Sequence, residues 1–431
     1  MVDDARMDFL KRASCRPSTG EGAVRAVVDD MLQRLEREGE TRARSYGRDL
    51  DGWTGEIVVS DEQRKHAVES LDPQLRADIR YAHDNVRRFA EAQRASLRDT
   101  ELEIQPGLLA GHRHIPVATA GCYVPGGRYA HVASAIMSVT TARVAGVKRV
   151  IACSPPSRDG GIHGATLAAL DICGVDEVLN LGGVQGIAAL GFGMFDQPPA
   201  DILVGPGNAY VSEAKRALYG RVAIDMFAGP TESAVIADAT ADAEIVATDL
   251  VGQAEHGPTS PVWLIALDRG LAERVIELVP ELIEALPEPN RSSARVAWRD
   301  YAEVVLCDTR DEACAVSDEY APEHLQVQAA DLDEWLHRLT NYGSLFLGEA
   351  CTVAYGDKVS GPNHILPTKG AGRYTGGLWV GKFLKTLTWQ RMTREANRDV
   401  APRCARISRV EGMEGHARSA DVRLRRWFPE R

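Results

Sequence analysis

Glu323 and His324 stand side by side directly after Pro322, within Tyr320-Ala-Pro-Glu-His-Leu325. Proline donates no backbone hydrogen bond and disfavours helix at Ala321, so the pair is expected on a turn between regular elements. Histidine titrates near neutrality, and a neighbouring carboxylate can activate water or tune the imidazole. An isolated Glu-His in a loop is ordinarily a surface feature, but here three other stretches, around His256, Asp357 and His416, set unlike donor types among glycines. Gln253 and His256 are three apart at the end of an expected helix and share a face, although taken alone such a pair is ordinary. Asp357 and His364 bracket GDKVSGPNH, where Gly356 and Gly361 permit tight folding; His416 lies in EGMEGH, with Glu411 and Glu414 close by. Two histidines, a carboxylate and an amide oxygen would make a borderline donor set suited to zinc with room for substrate, provided these positions converge.

A second group of stretches is built from glycine. Cys122 to Gly127 reads CYVPGG, Gly182 to Gly186 reads GGVQG, and Gly205 to Asn208 reads GPGN at a helix start. Glycine turns before helix N-termini suit phosphate groups, because backbone N–H groups and the helix dipole face the anion. They equally suit plain strand-to-helix turns, and the G-x-G-x-x-G fingerprint is absent.

These groups need a scaffold, and 431 residues allow two or three domains. A net charge of −11 without a basic block speaks against general nucleic-acid binding. The eight cysteines include no C-x-x-C pair, and no apolar run is long enough to cross a bilayer, so a reduced, cytoplasmic setting is expected. Residues 1–20 read as a polar arm. Helices are expected from Ala23 to Glu38 and after Pro73, the latter with His83 as a structural residue beside its apolar stripe. From Ile115 short β-rich runs alternate with helices: strands at Val147 to Cys153, Val175 to Leu179, Ile202 to Val204 and Val222 to Ile224, with helices between. A second block of the same texture starts at Ser233 (SAVIAD) and runs through PVWLIALD, EVVLCDT and GSLFLGE. Strands separated by helices argue parallel sheets covered on both faces, hence an α/β fold with a cleft between two domains. The expected division is 21–120 with 232–372 as a first, discontinuous α/β domain, 121–231 as a second Rossmann-like domain, and 373–431 as a C-terminal helical piece. Within the last, helices are expected from Lys382 to Asn397 and from about His416.

The chain resembles the histidinol dehydrogenase family from about Ile115 to the last helix. The resemblance rests on YVPGG, GGVQGIAALGFG, VGPGNAYVSEAKR, AGPTE, DLVGQAEHGPTS, YAPEHL, GSLFLGE, GDKVSGPNHILPT and EGMEGHARSADVR. It implies a domain-swapped homodimer with shared active sites, in which each subunit has two Rossmann-like domains and small terminal pieces exchanged with its partner. It implies one zinc per subunit on Gln253, His256 and Asp357, with His416 supplied by the other chain. Glu323 and His324 match the family's catalytic pair, Tyr123, Gln185 and Asn208 match positions that contact NAD, and Thr231 and Glu411 match substrate contacts. The implied reaction is a four-electron oxidation of a primary alcohol to a carboxylate.

Some residues depart from the histidinol pattern. A glutamate usual four residues before the zinc aspartate is Val353, the residue after that aspartate is Lys358, and AGPSE becomes AGPTE. A lost carboxylate and a gained lysine favour an anionic substrate over cationic histidinol if both side chains face the site; otherwise Lys358 is a solvated surface lysine. His364 is counted with Lys358 among the substrate-facing candidates. These phrases are most similar to the sulfopropanediol dehydrogenase branch, which implies 2,3-dihydroxypropane-1-sulfonate as substrate, with histidinol the alternative.

Overall fold

The computed structural model describes residues 8–15, 21–126, 130–157, 160–226 and 229–429. Parts of the N-terminal arm (1–7, 16–20), Gly127 of the CYVPGG turn and Ala228 of AGPTE therefore lie outside the described residues.

The chain begins with β1 (Asp8–Lys11), helices α1 (Glu21–Asp51), α2 (Asp61–Glu69) and α3 (Pro73–Ser96), then β2 (Thr100–Gln105) and β3 (Leu108–Pro116). An alternating run follows: β4 (Thr119–Tyr123), α4 (Val132–Ala145), β5 (Arg149–Ser154), α5 (Gly164–Ile172), β6 (Glu177–Asn180), α6 (Gly183–Phe192), β7 (Ile202–Val204), α7 (Ala209–Leu218) and β8 (Ala223–Ile224). A second run comprises β9 (Ser233–Ala237), α8 (Ala243–Ala254), β10 (Val262–Ala266), α9 (Arg269–Glu284), α10 (Asn290–Tyr301), β11 (Glu303–Leu306), α11 (Arg310–Tyr320), β12 (His324–Gln328), α12 (Leu332–Arg338), β13 (Ser344–Leu347) and α13 (Val353–Lys358). The chain closes with β14 (Leu384–Met392), α14 (Asn397–Val410) and α15 (Glu414–Trp427).

The first run forms a five-stranded sheet in the order β6-β5-β4-β7-β8, with every pairing parallel. The second forms a six-stranded sheet, β1-β11-β10-β9-β12-β13, parallel except for the antiparallel edge strand β1. Counted from the first strand of each run, both parallel sets have the same order: third, second, first, fourth, fifth. Their central strands are buried on both faces, which explains the continuous apolar runs VIAC in β5 and SAVIA in β9. The helix expected near Ala23 extends over α1, and its Val28, Leu32, Leu35 and Ala43 enter the core of the five-stranded sheet beside Ile187, Leu190 and Val211. Five of the eight cysteines are buried, among them Cys122, whose thiol is pushed up to about 12 by burial.

These two sheets belong to one compact unit, Met1–Arg94 with Val117–Phe383; Ala95–Pro116 with Leu384–Arg431 forms another. In the second unit, β14-β3-β2 make an antiparallel sheet, and α14 packs on α15 through Ala401, Ala405, Ala417 and Ala420. The helix expected over 382–397 is instead the strand β14. It pairs with β3 from Leu384↔Pro116 to Met392↔Leu108, a nine-residue ladder that outweighs local helix preference. Among the described residues no helix is long and apolar enough to cross a membrane.

Candidate active site

Helix α11 ends where Ala321, fully buried, takes a left-handed conformation (φ 46°) and donates its N–H to Ser317 O at 2.8 Å. For a non-glycine residue that conformation costs about 1–2 kcal/mol, a strain that the surrounding packing maintains. The turn delivers Pro322 and Glu323 to the N-terminal edge of the six-stranded sheet, and His324 is the first residue of β12. The sequence places the pair on a turn, and it sits at this helix-to-strand junction.

His324 lies between three acceptors. Its Nδ1 is 3.3 Å from the carbonyl oxygen of Glu232 and 3.7 Å from Glu323 Oε2, while Nε2 is 3.4 Å from Asp357 Oδ1. A proton kept on Nδ1 by the carbonyl leaves Nε2 as the basic nitrogen. Burial opposes charging of this ring, but Glu323 and Asp357 outweigh it and hold its pKa above the usual value. Glu323 is pushed up to about 8, first by burial, and its Oε2 accepts the N–H of Glu232 at 3.1 Å. Glu232 itself is pushed up to about 7 by burial; Oε1 accepts Lys369 N–H at 2.9 Å, and the buried Oε2 has no hydrogen-bond partner among the described residues.

Asp357, near the end of α13, is the meeting point of the other candidates. His256 Nε2 lies 3.9 Å from its Oδ2, too long for a hydrogen bond, and Lys358 Nζ 4.0 Å from the same oxygen. His364 Nδ1 is 2.8 Å from the Asp357 backbone oxygen, and its Nε2 is 3.1 Å from Ser134 Oγ on α4. Although burial raises Asp357, His324, His364 and Lys358 reverse that and hold the carboxyl well below the usual carboxylate range. Burial depresses both His256 and His364, which favours their neutral rings. A pocket of about 80 Å³ opens among His324, Phe346, Asp357, Ser360, Asn363 and His364. Lys358 keeps 63% of its side chain exposed.

Gln253, 5% exposed, sits one turn before His256, and its Oε1 has no hydrogen-bond partner among the described residues. Among the described residues no three His, Cys, Asp or Glu side chains cluster closely enough to hold a metal by themselves. An orphaned amide oxygen, a neutral imidazole and an ionised carboxylate nevertheless fit the donor chemistry of zinc.

The glycine turns gather at the other sheet. The order of the five-stranded sheet reverses between β4 and β7, the switch point at which such sheets bind nucleotides beyond their carboxyl ends. Tyr123 ends β4, and its Oη accepts the Gly183 N–H at 3.1 Å. Gln185, on the first turn of α6, donates Nε2 to Asp51 Oδ2 at 2.8 Å, and its buried Oε1 has no partner among the described residues. Asn208 caps α7, its Oδ1 accepting from Tyr210 and Val211 N–H at 3.0 and 3.1 Å. Gly205 has φ +116°, and a Cβ there would lie 2.0 Å from Tyr123 O, so only glycine brings this turn against β4. A buried Lys215–Asp225 ion pair braces it: Nζ donates to Gly205 O (2.9 Å), and Asp225 Oδ2 accepts Gly205 N–H (2.8 Å).

The structure thus gathers Glu323, His324, His256, Asp357, Lys358 and His364 on one edge, with Thr231 beside Glu232, while Tyr123, Gln185 and Asn208 lie along the other sheet. Glu411 at the end of α14 and His416 on α15 are exposed residues of the second unit. Sequence reasoning passed over three residues. Glu232 was signalled only by its place after Thr231; Ser134 and His131 lie in AHVASAIM, and His131, which begins α4, is depressed to about 4, first by burial and then by His364, Lys358 and His256.

Two parallel sheets, one ending in a nucleotide-type switch and the other starting at a buried Glu-His-Asp constellation, define a dinucleotide-dependent oxidoreductase architecture. The chain matches the histidinol dehydrogenase family over residues 14–424 and belongs to it. Members are NAD-dependent oxidoreductases acting on CH-OH donors. The chain is 61% identical to a histidinol dehydrogenase homolog from Ruegeria pomeroyi, over 97% of each chain. It is 57% identical to the sulfopropanediol 3-dehydrogenase of the same organism, over 98% of each. The crystal structure of histidinol dehydrogenase from Elizabethkingia anophelis superposes with a TM-score of 0.90 at 31% identity, covering 96% of this chain and 94% of that one.

Proposed function

We propose that the protein oxidises the primary alcohol of an anionic diol, 2,3-dihydroxypropane-1-sulfonate, to the carboxylate sulfolactate, using NAD and zinc. The observation that carries the substrate choice is the electrostatics around Asp357. Lys358 lies within 4.0 Å of it, and Val353, one turn earlier on the same helix face, supplies no carboxylate. A basic group beside the pocket suits a sulfonate and opposes a cationic amine. The 57% identity to a sulfopropanediol 3-dehydrogenase, against 39% to a histidinol dehydrogenase from Thermus thermophilus, supports the same reading.

Gln253, His256 and Asp357 would hold the zinc, which when bound would polarise the substrate oxygen. Tyr123, Gln185 and Asn208 would hold NAD, the acceptor of hydride. His324 Nε2 takes the hydroxyl proton as hydride leaves the adjacent carbon, giving the aldehyde. Glu323, ionised above about pH 8, then draws a proton from water as its oxygen bonds to the aldehyde carbon. The hydrate loses a second proton and hydride to give the acid, so two NAD are reduced per alcohol.

A homodimer completes the account. Val410 is 89%, Ile407 61%, Leu102 58% and Ile104 57% exposed, apolar surface on a unit whose own core is mainly four alanines and Leu424. A second copy would cover it, and the partner subunit would supply His416 as the fourth zinc ligand. NADH formation measured side by side with dihydroxypropanesulfonate and histidinol tests the substrate. A kcat/KM for the sulfonate at least ~10-fold above that for histidinol is expected, and the reverse preference would overturn it.

A further inference from the structure

Helix α8, strand β12 and helix α13 carry Gln253, His324 and Asp357, read above as zinc ligands and base, and all three elements meet at Asp249. Its Oδ2 accepts Nε2–H from Gln326 at 2.7 Å and from Gln328 at 2.9 Å; its Oδ1 accepts the hydroxyl of Thr352 at 2.8 Å. The spacing makes this more than a local cluster. Asp249 precedes Gln253 by four residues on α8, so the two share a helix face. His324, Gln326 and Gln328 alternate along β12 and share a strand face, opposite the apolar face of Leu325 and Val327. Thr352 caps α13, which carries Asp357.

Gln326 and Gln328 are 0% and 1% exposed, and each leaves its Oε1 without a hydrogen-bond partner among the described residues. Burying two amide oxygens unmet is unfavourable, and apolar side chains would fill this face of β12 more cheaply. What the two amides gain is a pair of charge-assisted bonds to one carboxylate, stronger and shorter than neutral ones.

We propose that Asp249 is the positioning residue of this site: it fixes the rotation and depth of α8 against β12 and α13, so that Gln253 and His256 face His324 and Asp357. This rests on the zinc reading proposed above. The carboxylate touches neither substrate nor cofactor, and acts through the three elements it ties together.

The test uses full-length wild type, Asp249→Asn, and the double variant Asp249→Asn/Gln326→Glu, in which donor and acceptor exchange places. Metal-free protein is titrated with zinc against a chromophoric chelator, and NAD affinity and the kcat for alcohol are measured alongside. Asp249→Asn should bind zinc about 10–100-fold more weakly, the usual loss when a partner behind the ligands is removed. Its kcat should fall with NAD affinity unchanged, and the double variant should recover most of both losses. Wild-type zinc affinity and kcat in Asp249→Asn, or losses that spread equally to NAD affinity, would overturn the proposal. Should Asp249→Asn fail to fold, Gln328→Leu carries the test: a several-fold loss of zinc affinity supports the role, and none overturns it. A wild type that takes up no zinc overturns the ligand reading instead; the split between kcat and NAD affinity then decides the role of Asp249.

Discussion

The two parallel sheets share one strand order and use opposite edges. In the five-stranded sheet the ligand-type residues follow strands: Tyr123 ends β4, and Asn208 follows β7. In the six-stranded sheet they precede strands: Glu232 stands before β9, and His324 opens β12. At the first edge, glycine turns lead into the N-termini of α6 and α7, whose dipoles suit phosphates. At the second, chain segments arriving from α8, α11 and α13 present side-chain carboxylates and imidazoles, which suits proton transfer and a cation. Strand order alone therefore does not locate chemistry; what lies at each strand end decides it. Helix α4 links the two, since Ser134 reaches His364 and the Met137 carbonyl accepts Asn363 Nδ2 at 3.0 Å.

Variants should separate the two edges. The largest effect is expected at the base. His324→Ala should reduce turnover about 10²–10⁴-fold with NAD affinity unchanged, as steady-state rates and NAD titration will show. A parallel loss of NAD affinity would break the division. Glu323→Gln sharpens it: in single turnovers alcohol should still yield one NADH, while aldehyde oxidation slows more.

At the other edge the effect is smaller. Asn208→Ala removes the cap of α7 and should cost about 1 kcal/mol of stability. It should raise KM for NAD with zinc affinity untouched, which denaturant melts and metal titration will report.

The smallest concerns pH. Burial raises Glu232 to about 7 and Glu323 to about 8, so the folded carboxyls keep protons that the unfolded chain releases near its ordinary value. That stability is fully present below the ordinary value of 4.5 and is lost progressively as pH rises from there to about 7 for Glu232 and about 8 for Glu323. The melting temperature of metal-free protein should fall over this range, and Glu232→Gln should flatten the fall. A decline just as steep in Glu232→Gln would assign it to other groups.

How much of this was legible in sequence depended on what each segment packs against. Apolar strands such as SAVIA and VWLIA announce themselves because both faces are buried. Strand β12 does not, since its buried His324, Gln326 and Gln328 are polar, and both glutamines donate to Asp249, distant in sequence. Strand β14 leaves most of its residues exposed and depends on β3, about 270 positions away as in Thr386↔His114, so local pattern points to helix instead. Of the candidate site, Glu323 and His324 stand out in sequence by donor type after Pro322, and Asp357 by donor type among glycines. Ser134 and Glu232 do not, because a serine on an apolar helix and a glutamate before a strand acquire a role only through contacts made by folding.

Metal and base on one sheet edge, with dinucleotide on the other, is the arrangement proposed above. His256→Ala tests it most directly, with zinc content, NAD affinity and turnover measured on the same preparation. The account predicts loss of zinc and of turnover with wild-type NAD affinity. A variant that keeps full zinc and turnover, or loses NAD affinity in step with zinc, would contradict it.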